Sequence, residues 1–572
     1  MTYSLLFSSK YLQTGLEAVA LVGILLAFFV PRWRAAWFRG WELRLRNIGR
    51  SRWRAVALSA VVPLVIRVAL LPVFSFPTPF VHDEFSYLLM GDTFAHGRIV
   101  NPPPPEWKHF ETEYTLVQPT YSSQYQPAQG LVLAAGQVLT GNPWWGVWIS
   151  IGLMCGALCW GLSYLLPLPW ALCGALGAGL QYGIFGFWMN SYFGGAIAAA
   201  AGAMIAGSLA RMREKPVSSG FLCGTGLVML FASRPLEGAL WTVVATIWIF
   251  VKYRHRFVQI VAAGLLVGVA GGVGLGYYDY RVTGHVFEPP YAEGRDLYGT
   301  PQSFWWQPAV IIDHFDNPQL RANYLNQLKF WERRYSIPAL WDSTWRRLRD
   351  FWKFFVGPFF TPALLFFLLL RRDRRIWPWL LVSIPFVLDH ATFHAWYPQH
   401  SAPETILIVM ILLQCWRHLR VWQRRRGWGL ALSRNLATAF ALSFVLIGIG
   451  RATEDYLPDQ ITRIWGPLKP AEKGRDRLLA KLHDTGGKYL VFVYYPPTHS
   501  YNDEWVFNGA EIPGAPVVFA RVVNPASDQR LVQAMPGYEV VRVNAQTGEL
   551  TWPREDIARD GGKDSGSKSS AP

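Results

Sequence analysis

The sequence predicts an α-helical polytopic membrane protein with about twelve transmembrane helices and a small C-terminal α/β domain outside the membrane. Of its 572 residues, 51% are hydrophobic and only 16% are charged, whereas soluble domains carry roughly 25% charged residues. The chain has 28 Trp residues, and Trp favours membrane–water interfaces. The Arg and Lys residues, which give a net charge of +16, stand in short clusters between apolar stretches. This placement is typical of membrane proteins, so we expect a lipid bilayer and no nucleic acid as partner.

Apolar segments set the number of helices, because a membrane-spanning helix needs roughly 17–25 mostly apolar residues. All 5 cysteines lie inside such segments, which excludes the disulfide framework of a small secreted domain. The candidate transmembrane helices lie at residues 11–30, 55–73, 144–166, 168–187, 191–210, 218–234, 237–251, 257–280, 356–371, 376–393, 403–418 and 432–450.

Clusters of Arg and Lys between these helices set their orientation, because basic clusters stay in the cytoplasm. The segment 127–141 is apolar but short, and counting it as a span would move later basic clusters outside. We interpret it as a helix that lies in or dips into the outer interface; a true span with an unrecognised partner stays open. The basic clusters lie at residues 32–54, 211–215, 252–256, 371–375 and 417–426.

This topology predicts a multi-pass protein of the inner (cytoplasmic) membrane, with its long loops and C-terminus on the extracytoplasmic, periplasmic side. The predicted parts are an N-terminal transmembrane helix with a basic cytoplasmic loop (1–54), a transmembrane domain (55–450) with outer loops 74–143 and 281–355, an extracytoplasmic α/β domain (451–557) and a disordered tail (558–572).

The α/β prediction for the C-terminal part comes from its local patterns. Glu472–Leu482 has helical character. Runs of β-branched and aromatic residues between turn residues predict strands, and they lie at Tyr489–Tyr495, Pro516–Val523 and Tyr538–Asn544.

The acidic pair Asp83 and Glu84 stands just past the outer end of the second predicted helix. Adjacent acids at a membrane boundary are costly unless they are solvated or used. Their side chains point in different directions, so one suits a general base and the other a metal ion or a sugar hydroxyl. The alternative is a helix N-cap at Asp83 with Glu84 favoured by the helix dipole, and the two roles are compatible. His82 and Tyr87 flank the pair as candidate substrate-binding residues.

Other polar residues lie at predicted outer helix ends. Tyr125 and Gln126 precede the segment 127–141 and offer uncharged donors and acceptors, as a sugar or lipid headgroup site needs. Arg234 suits a phosphate placed at the interface, although a snorkelling Arg, or one paired with Glu237, explains it equally well. Arg281 could also bind a phosphate or play only a structural role, but its position in the sequence supports the phosphate role less strongly.

A histidine-rich stretch ends the tenth predicted helix. His390 and His394 are four positions apart, so they share a helix face, and Tyr397 and His400 follow in the outer turn. Interfacial hydrogen bonding is the favoured role. No cofactor is required by the sequence, but two alternatives stay open: the His390–His394 pair could bind a divalent metal ion with an outer acid such as Glu84, with His394 and Glu84 as the candidate metal ligands, or the pair could bind a phosphate. Neither a P-loop nor a dinucleotide-binding motif is visible.

The layout resembles the GT-C superfamily of membrane glycosyltransferases, which includes protein O-mannosyltransferases and bacterial aminoarabinose transferases. Residues 82–97 (HDEFSYLLMGDTFAHG) look like the first outer loop of that family, an acidic pair followed by an aromatic residue and a short amphipathic helix. Residues 125–130 (YQPAQG) resemble its Tyr-Pro-Pro-Gly element, with Gln126 as a departure. Residues 233–235 and 397–403 fall where the family has polar outer turns.

The resemblance covers residues 55–450 and implies a sugar linked to polyprenyl phosphate as the donor, reached from the outer leaflet. It implies that Asp83 deprotonates an acceptor hydroxyl, which attacks the anomeric carbon with inversion while polyprenyl phosphate leaves. Arg234 and His394 would stabilise the leaving phosphate, and Glu84 would orient the acceptor or bind a divalent ion. The sugar stays open, and so does the acceptor, which is a protein, a glycolipid or a polysaccharide.

Two other functions stay open. One is an envelope polysaccharide polymerase or ligase that uses a polyprenyl-diphosphate carrier. The other is a glycolipid transporter or flippase. Transporters place polar groups near the membrane midplane, often at broken helices. Here the polar groups stand at helix ends and in long outer loops, which disfavours transport.

Overall fold

The computed structural model describes residues 9–31, 35–79, 81–299, 304, 306–333, 336–392, 396–453, 474–501 and 503–551. The predicted tail 558–572 and residues 454–473 of the predicted extracytoplasmic domain lie outside these residues. The α-helices are Ser9–Phe29, Ala35–Ile48, Arg52–Ala69, His82–Ala95, Ala128–Thr140, Trp144–Leu162, Leu168–Ala178, Gly195–Arg211, Pro216–Phe231, Pro235–Tyr253, Phe257–Thr283, Pro290–Tyr298, Pro318–Arg333, Ile337–Phe351, Gly357–Leu364, Trp377–Thr392, Thr405–Val421, Trp428–Thr453, Gly474–Thr485 and Pro525–Ala534.

Three helical segments of the described chain are long and apolar enough to cross a membrane: Trp144–Leu162, Pro235–Thr283 and Trp428–Ile449. Pro235–Thr283 consists of two helices joined by a short turn at Arg254–Arg256. Other apolar helices of the bundle are shorter or contain proline, as Trp377–Thr392 does at Pro385. The chain is thus mostly helical, and among the described residues it contains helices that could span a membrane by length and composition. The number of about twelve spans stays a prediction.

The helix Ala128–Thr140 lies within the segment interpreted as interfacial. It has 13 residues, which extend about 20 Å at the rise of an α-helix. A hydrocarbon core is about 30 Å thick, so this helix is too short to cross it upright. It packs between the helices His82–Ala95 and Trp144–Leu162.

A helix of small residues, Gly195–Arg211, lies at the centre of the bundle with almost every residue buried. Small residues allow neighbouring backbones to approach closely. A Cβ atom added at Gly202 would stand only 1.8 Å from the carbonyl oxygen of Pro403. The 3-10 helix Pro398–Glu404 therefore packs directly against the central helix. This 3-10 helix carries the candidate site residue His400.

Residues 474–551 form a four-stranded mixed sheet with helices. The central strand Tyr489–Tyr494 pairs in parallel with Val517–Arg521 and with Glu539–Asn544, and Leu550–Thr551 pairs antiparallel at one edge. The first three strands lie where the sequence predicts them.

The sheet shares an apolar core with the first outer loop. Phe110 and Tyr121 of the loop pack with Leu490, Phe492 and Val518 of the strands. The loop also contains a short antiparallel pair, Thr115–Leu116 with Ser122–Ser123. The outer loop and the C-terminal sheet therefore form one packed unit above the bundle.

Candidate active site

The helix His82–Ala95, called the loop helix below, begins differently from the predicted cap. Its N-cap is Val81 in an extended conformation, so Asp83 is not the N-cap. Glu84 performs the capping, because its Oε2 accepts from the backbone N–H of Val81 at 3.3 Å. Its Oε1 accepts from the backbone N–H of Tyr192 at 3.0 Å. Both oxygens of Glu84 are therefore engaged in holding the helix start to the turn at Tyr192.

The carboxyl of Asp83 is free of this capping role and faces a pocket of polar side chains. The hydroxyl of Tyr125 donates to Asp83 Oδ1 at 2.5 Å. The Tyr125 ring stacks on the ring of Tyr87 with centroids 4.5 Å apart. Desolvation raises the pKa of Asp83, and the Tyr125 hydrogen bond and the positive charge of Arg234 offset part of that rise. The residue as a whole is half-buried, and desolvation is the largest influence on its carboxyl.

Two hydrogen bonds to its backbone fix the position of Tyr125. The hydroxyl of Tyr278 donates to its carbonyl at 2.7 Å, and its backbone N–H donates to Ser123 Oγ at 3.1 Å. Ser123 lies 2.7 Å from Ser86 of the loop helix, oxygen to oxygen. These bonds connect the loop strand to the loop helix and fix the phenol beside Asp83.

Arg234 lies in the tight turn between Pro216–Phe231 and Pro235–Tyr253. The backbone N–H of Ala128 donates to the carbonyl of Ala232 at 2.8 Å, which ties this turn to the helix after Tyr125. The guanidinium acts on Asp83 electrostatically. The turn therefore places a cation beside the candidate base.

His400 completes the pocket on the side of the 3-10 helix. Its Nδ1 accepts from the backbone N–H of Tyr397 at 3.0 Å. Burial holds the pKa of His400 well below its usual value, and the charges of Arg234 and His390 act in the same direction. The imidazole is therefore neutral at physiological pH. Tyr397 itself is partly exposed and lies within electrostatic reach of Tyr114.

The remaining predicted residues do not gather at Asp83. Gln126 donates to Asp279 at 3.2 Å. Arg281 is exposed and donates to Tyr277 at 3.1 Å. His390 bonds through Nε2 to Glu404 Oε2 at 3.2 Å, at the end of the 3-10 helix.

His82 also faces away from the pocket, toward the C-terminal sheet. Its ring is buried and stacks on Tyr501 with centroids 4.6 Å apart. Its Nδ1 is 4.0 Å from Glu113 Oε2, and its Nε2 is 4.0 Å from Glu504 Oε2. His82 therefore contributes to the packing between the loop helix and residues 501–507.

The sequence reasoning missed Glu113, a buried acid in the first outer loop. Burial raises its pKa to about 7, and the charge of Asp83 acts in the same direction. The sequence did contain a pattern that could have indicated a buried acid here, because Glu111–Glu113 stands between two aromatic residues, and acids among aromatic residues are unusual in a loop.

The metal site that the sequence left open is not supported by the described residues. Both oxygens of Glu84 already accept backbone N–H groups, and His394 lies outside the described residues. In the described ranges, no group of three or more His, Cys, Asp or Glu side chains is arranged to hold a metal ion.

Solved structures similar to this chain include AglB of Archaeoglobus fulgidus in complex with an inhibitory peptide and a dolichol-phosphate, with a TM-score of 0.47 and 10% identity over 86% of this chain and 69% of that chain. An oligosaccharyltransferase of the same organism in complex with Zn and sulfate has a TM-score of 0.47 and 10% identity, over 86% of this chain and 68% of that chain. ArnT from Cupriavidus metallidurans, in the apo state, has a TM-score of 0.47 and 13% identity over 89% of this chain and 94% of that chain. No protein-family model and no curated protein sequence matches the chain.

Proposed function

We propose that the protein is an inverting glycosyltransferase that moves a sugar from polyprenyl phosphate to an acceptor hydroxyl on the extracytoplasmic side of the membrane. The observation that carries the proposal is the carboxyl of Asp83, which accepts a hydrogen bond from the hydroxyl of Tyr125 at 2.5 Å and lies within electrostatic reach of the cation of Arg234. A carboxylate to accept the acceptor's proton and a cation to stabilise the departing phosphate are the minimum that base-assisted displacement of an anionic leaving group requires.

In the proposed reaction, Asp83 accepts the proton of the acceptor hydroxyl. The acceptor oxygen forms a bond to the anomeric carbon, and the bond between that carbon and the phosphate oxygen breaks with inversion. Polyprenyl phosphate leaves with the bonding electrons. Tyr125 keeps the carboxylate oriented, because its hydroxyl donates to one oxygen and leaves the other for the acceptor.

Arg234 and His400 suit the leaving phosphate. A guanidinium binds phosphate through paired, charge-assisted hydrogen bonds. The neutral imidazole of His400 lies on the same side and adds a polar group without a second positive charge. Both residues stand in turns that connect bundle helices, which is where the phosphate of a lipid anchored in the outer leaflet would lie.

The donor is tested by native mass spectrometry of the detergent-purified protein supplied with total host lipids, comparing wild type with Asp83→Asn. We expect both proteins to retain a polyprenyl-phosphate sugar and only the wild type to transfer it. Asp92→Asn is the matched control, because Asp92 lies on the same helix but bonds Gln137 and the backbone of Ala510. Full transfer by Asp83→Asn would refute the role of the base. A retained diphosphate-linked oligosaccharide would instead identify a polymerase or ligase, and the absence of any prenyl lipid would favour a transporter.

A further inference from the structure

The helix Ile337–Phe351, called the amphipathic helix below, has 15 residues and none of them is buried. Its apolar residues recur at intervals of three and four, which places them on one face, and Arg346 and Arg349 lie on the opposite face. A continuous apolar face is rarely left in water, so this one indicates contact with an apolar partner. Its large side chains are between 50% and 83% exposed and are Ile337, Leu340, Trp341, Trp345 and Leu348.

The amphipathic helix is fixed at both ends. At its start, Ser336 Oγ accepts from the backbone N–H of Ala339 at 3.4 Å. At its end, the ring of Phe351 lies 5.0 Å from that of Phe355 and 6.1 Å from that of Trp396, between centroids. The apolar face therefore belongs to an ordered helix that is attached to the bundle.

Arg347 determines where along the bundle the amphipathic helix lies. Its Nη1 donates to the carbonyl of His390 at 3.4 Å and to that of Ala391 at 3.1 Å. These carbonyls stand in the last turn of the helix Trp377–Thr392, where unpaired carbonyl groups and the helix dipole favour a cation. The amphipathic helix therefore lies beside the end that the sequence predicts to be the outer end of a transmembrane helix.

The exposed surface of Trp377–Thr392 continues up to this end. Leu381, Ile384 and Leu388 are all exposed, and their spacing of three and four places them on one face. Leu388 precedes Ala391 by three positions, which is about 4.5 Å of helix rise. An apolar stripe on the outside of a transmembrane helix faces lipid. The stripe and the amphipathic helix therefore meet at one level, where hydrocarbon gives way to lipid headgroups.

We propose that the amphipathic helix lies in the outer leaflet of the membrane and that its partner is the phospholipid surface. Trp341, Trp345 and Leu348 insert among the lipids, and Arg346 and Arg349 face the water and the headgroup phosphates. Trp side chains favour this interface, and a helix with a tryptophan-bearing apolar face and arginines on its polar face is typical of helices that lie in its plane. The proposal does not depend on the proposed reaction.

The chain immediately before the amphipathic helix is bonded to the unit formed by the first outer loop and the C-terminal sheet. Asn323 and Gln327 of the helix Pro318–Arg333 donate to Glu113 Oε1 at 2.8 and 3.0 Å. Gln319 of the same helix accepts from Arg521 at the end of a strand of the sheet. The amphipathic helix thus links this unit to the lipid surface and holds it close to the bilayer.

The depth of the helix is tested with nitroxide labels on the full chain, in nanodiscs of phosphatidylethanolamine and phosphatidylglycerol. Labels are attached to Trp341→Cys, Leu348→Cys and Arg346→Cys, and their collisions with oxygen and with a water-soluble nickel chelate are measured. We expect the first two labels about 5–10 Å below the headgroup boundary. The third should lie higher by about 10 Å, the diameter of a helix. Wild type treated with the same label gives the background from its native cysteines.

Each of the other outcomes would overturn the proposal. Collisions of the Trp341→Cys and Leu348→Cys labels mainly with the nickel chelate would place the apolar face in water. Low accessibility to both reagents would show that protein covers the face, either another protein or a second copy of this chain.

Hydrogen exchange of residues 337–351 in the same nanodiscs provides a second test. In the double variant Trp341→Gln/Trp345→Gln we expect exchange about tenfold faster than in wild type, because two large apolar side chains no longer hold the helix in lipid. The matched control is Arg346→Gln/Arg349→Gln, which places the same amides at two exposed positions of the opposite face and should exchange as wild type does. Equal exchange in the two variants would refute insertion of the apolar face.

Discussion

In the proposed reaction, the phenol of Tyr125 influences how well Asp83 can work as a base. Burial favours a protonated aspartate, which could not accept a proton from a hydroxyl. The donated bond of 2.5 Å from Tyr125 and the charge of Arg234 offset part of this effect of burial on the pKa of Asp83. Tyr125 and Arg234 are therefore the residues that oppose desolvation at the proposed base.

Tyr125→Phe removes the donated bond to Asp83. Because that bond stabilises the carboxylate, its loss raises the pKa of Asp83, and the base stays protonated to higher pH. We expect the acid limb of the pH profile of kcat/KM to move upward by about one unit. Tyr121→Phe is a control, since the hydroxyl of Tyr121 donates to the carbonyl of Asn508 instead. A Tyr125→Phe profile that superimposes on the wild type would contradict the prediction.

Arg234→Ala removes the cation beside the pocket. A charge-assisted bond to phosphate contributes roughly 1.5–3 kcal/mol, so we expect the affinity for polyprenyl phosphate to fall about tenfold or more, as measured by lipid titration in native mass spectrometry. Arg281→Ala is the matched control, because Arg281 is exposed and contacts Tyr277. Equal losses in the two variants would show that Arg234 acts only through net charge.

The close contact between the central helix and the 3-10 helix Pro398–Glu404 helps to fix the position of His400. Gly202→Ala would put a Cβ atom 1.8 Å from the Pro403 carbonyl oxygen. Overpacking of this kind costs about 1–3 kcal/mol, so we expect a lower unfolding midpoint in detergent and weaker lipid binding. Gly268→Ala, with no atom within 4 Å, should leave both unchanged. Wild-type stability in Gly202→Ala would disprove the close packing.

The sequence predicts secondary-structure elements better than it predicts contacts between residues that are far apart in the chain. The strand Tyr489–Tyr494 and the loop helix follow from local patterns, since both depend on nearby residues. The bond between Tyr501 and Glu113 joins residues 388 positions apart, and one polar side chain carries no information about so distant a partner. Glu84 illustrates a second limit, because its role as a cap depends on where the helix begins, which local sequence places only to within a few residues.

The stability of the packing between the C-terminal sheet and the outer loop should depend on pH. Glu111 and Glu113 both have pKa values raised to about 7 in the folded protein, first by burial. An acid with a raised folded pKa stabilises the fold at low pH, and that stability is lost as pH rises from the unfolded value near 4.5 through 7.

We therefore expect faster hydrogen exchange in the strand Val517–Arg521 above neutral pH than at mildly acidic pH, after correction for the intrinsic pH dependence of exchange. The double variant Glu111→Gln/Glu113→Gln should flatten this dependence, because amides do not titrate. If the corrected hydrogen exchange of this strand in the wild type is slower at higher pH, the pH dependence is opposite to the predicted one and the prediction is refuted.

The outer loop and the C-terminal sheet are joined by polar bonds as well as by the apolar core. His109 Nδ1 lies 2.6 Å from the carbonyl oxygen of Arg521, which is 412 positions further along the chain. Arg530 forms two bonds to Glu106, at 2.8 and 2.9 Å. The partners of Phe110 and Tyr121 in the apolar core stand on strands that are synthesised far later than the loop itself. A chain that ends before these strands would therefore leave those side chains of the loop uncovered, and the loop cannot acquire its packed conformation until almost the entire chain has been made.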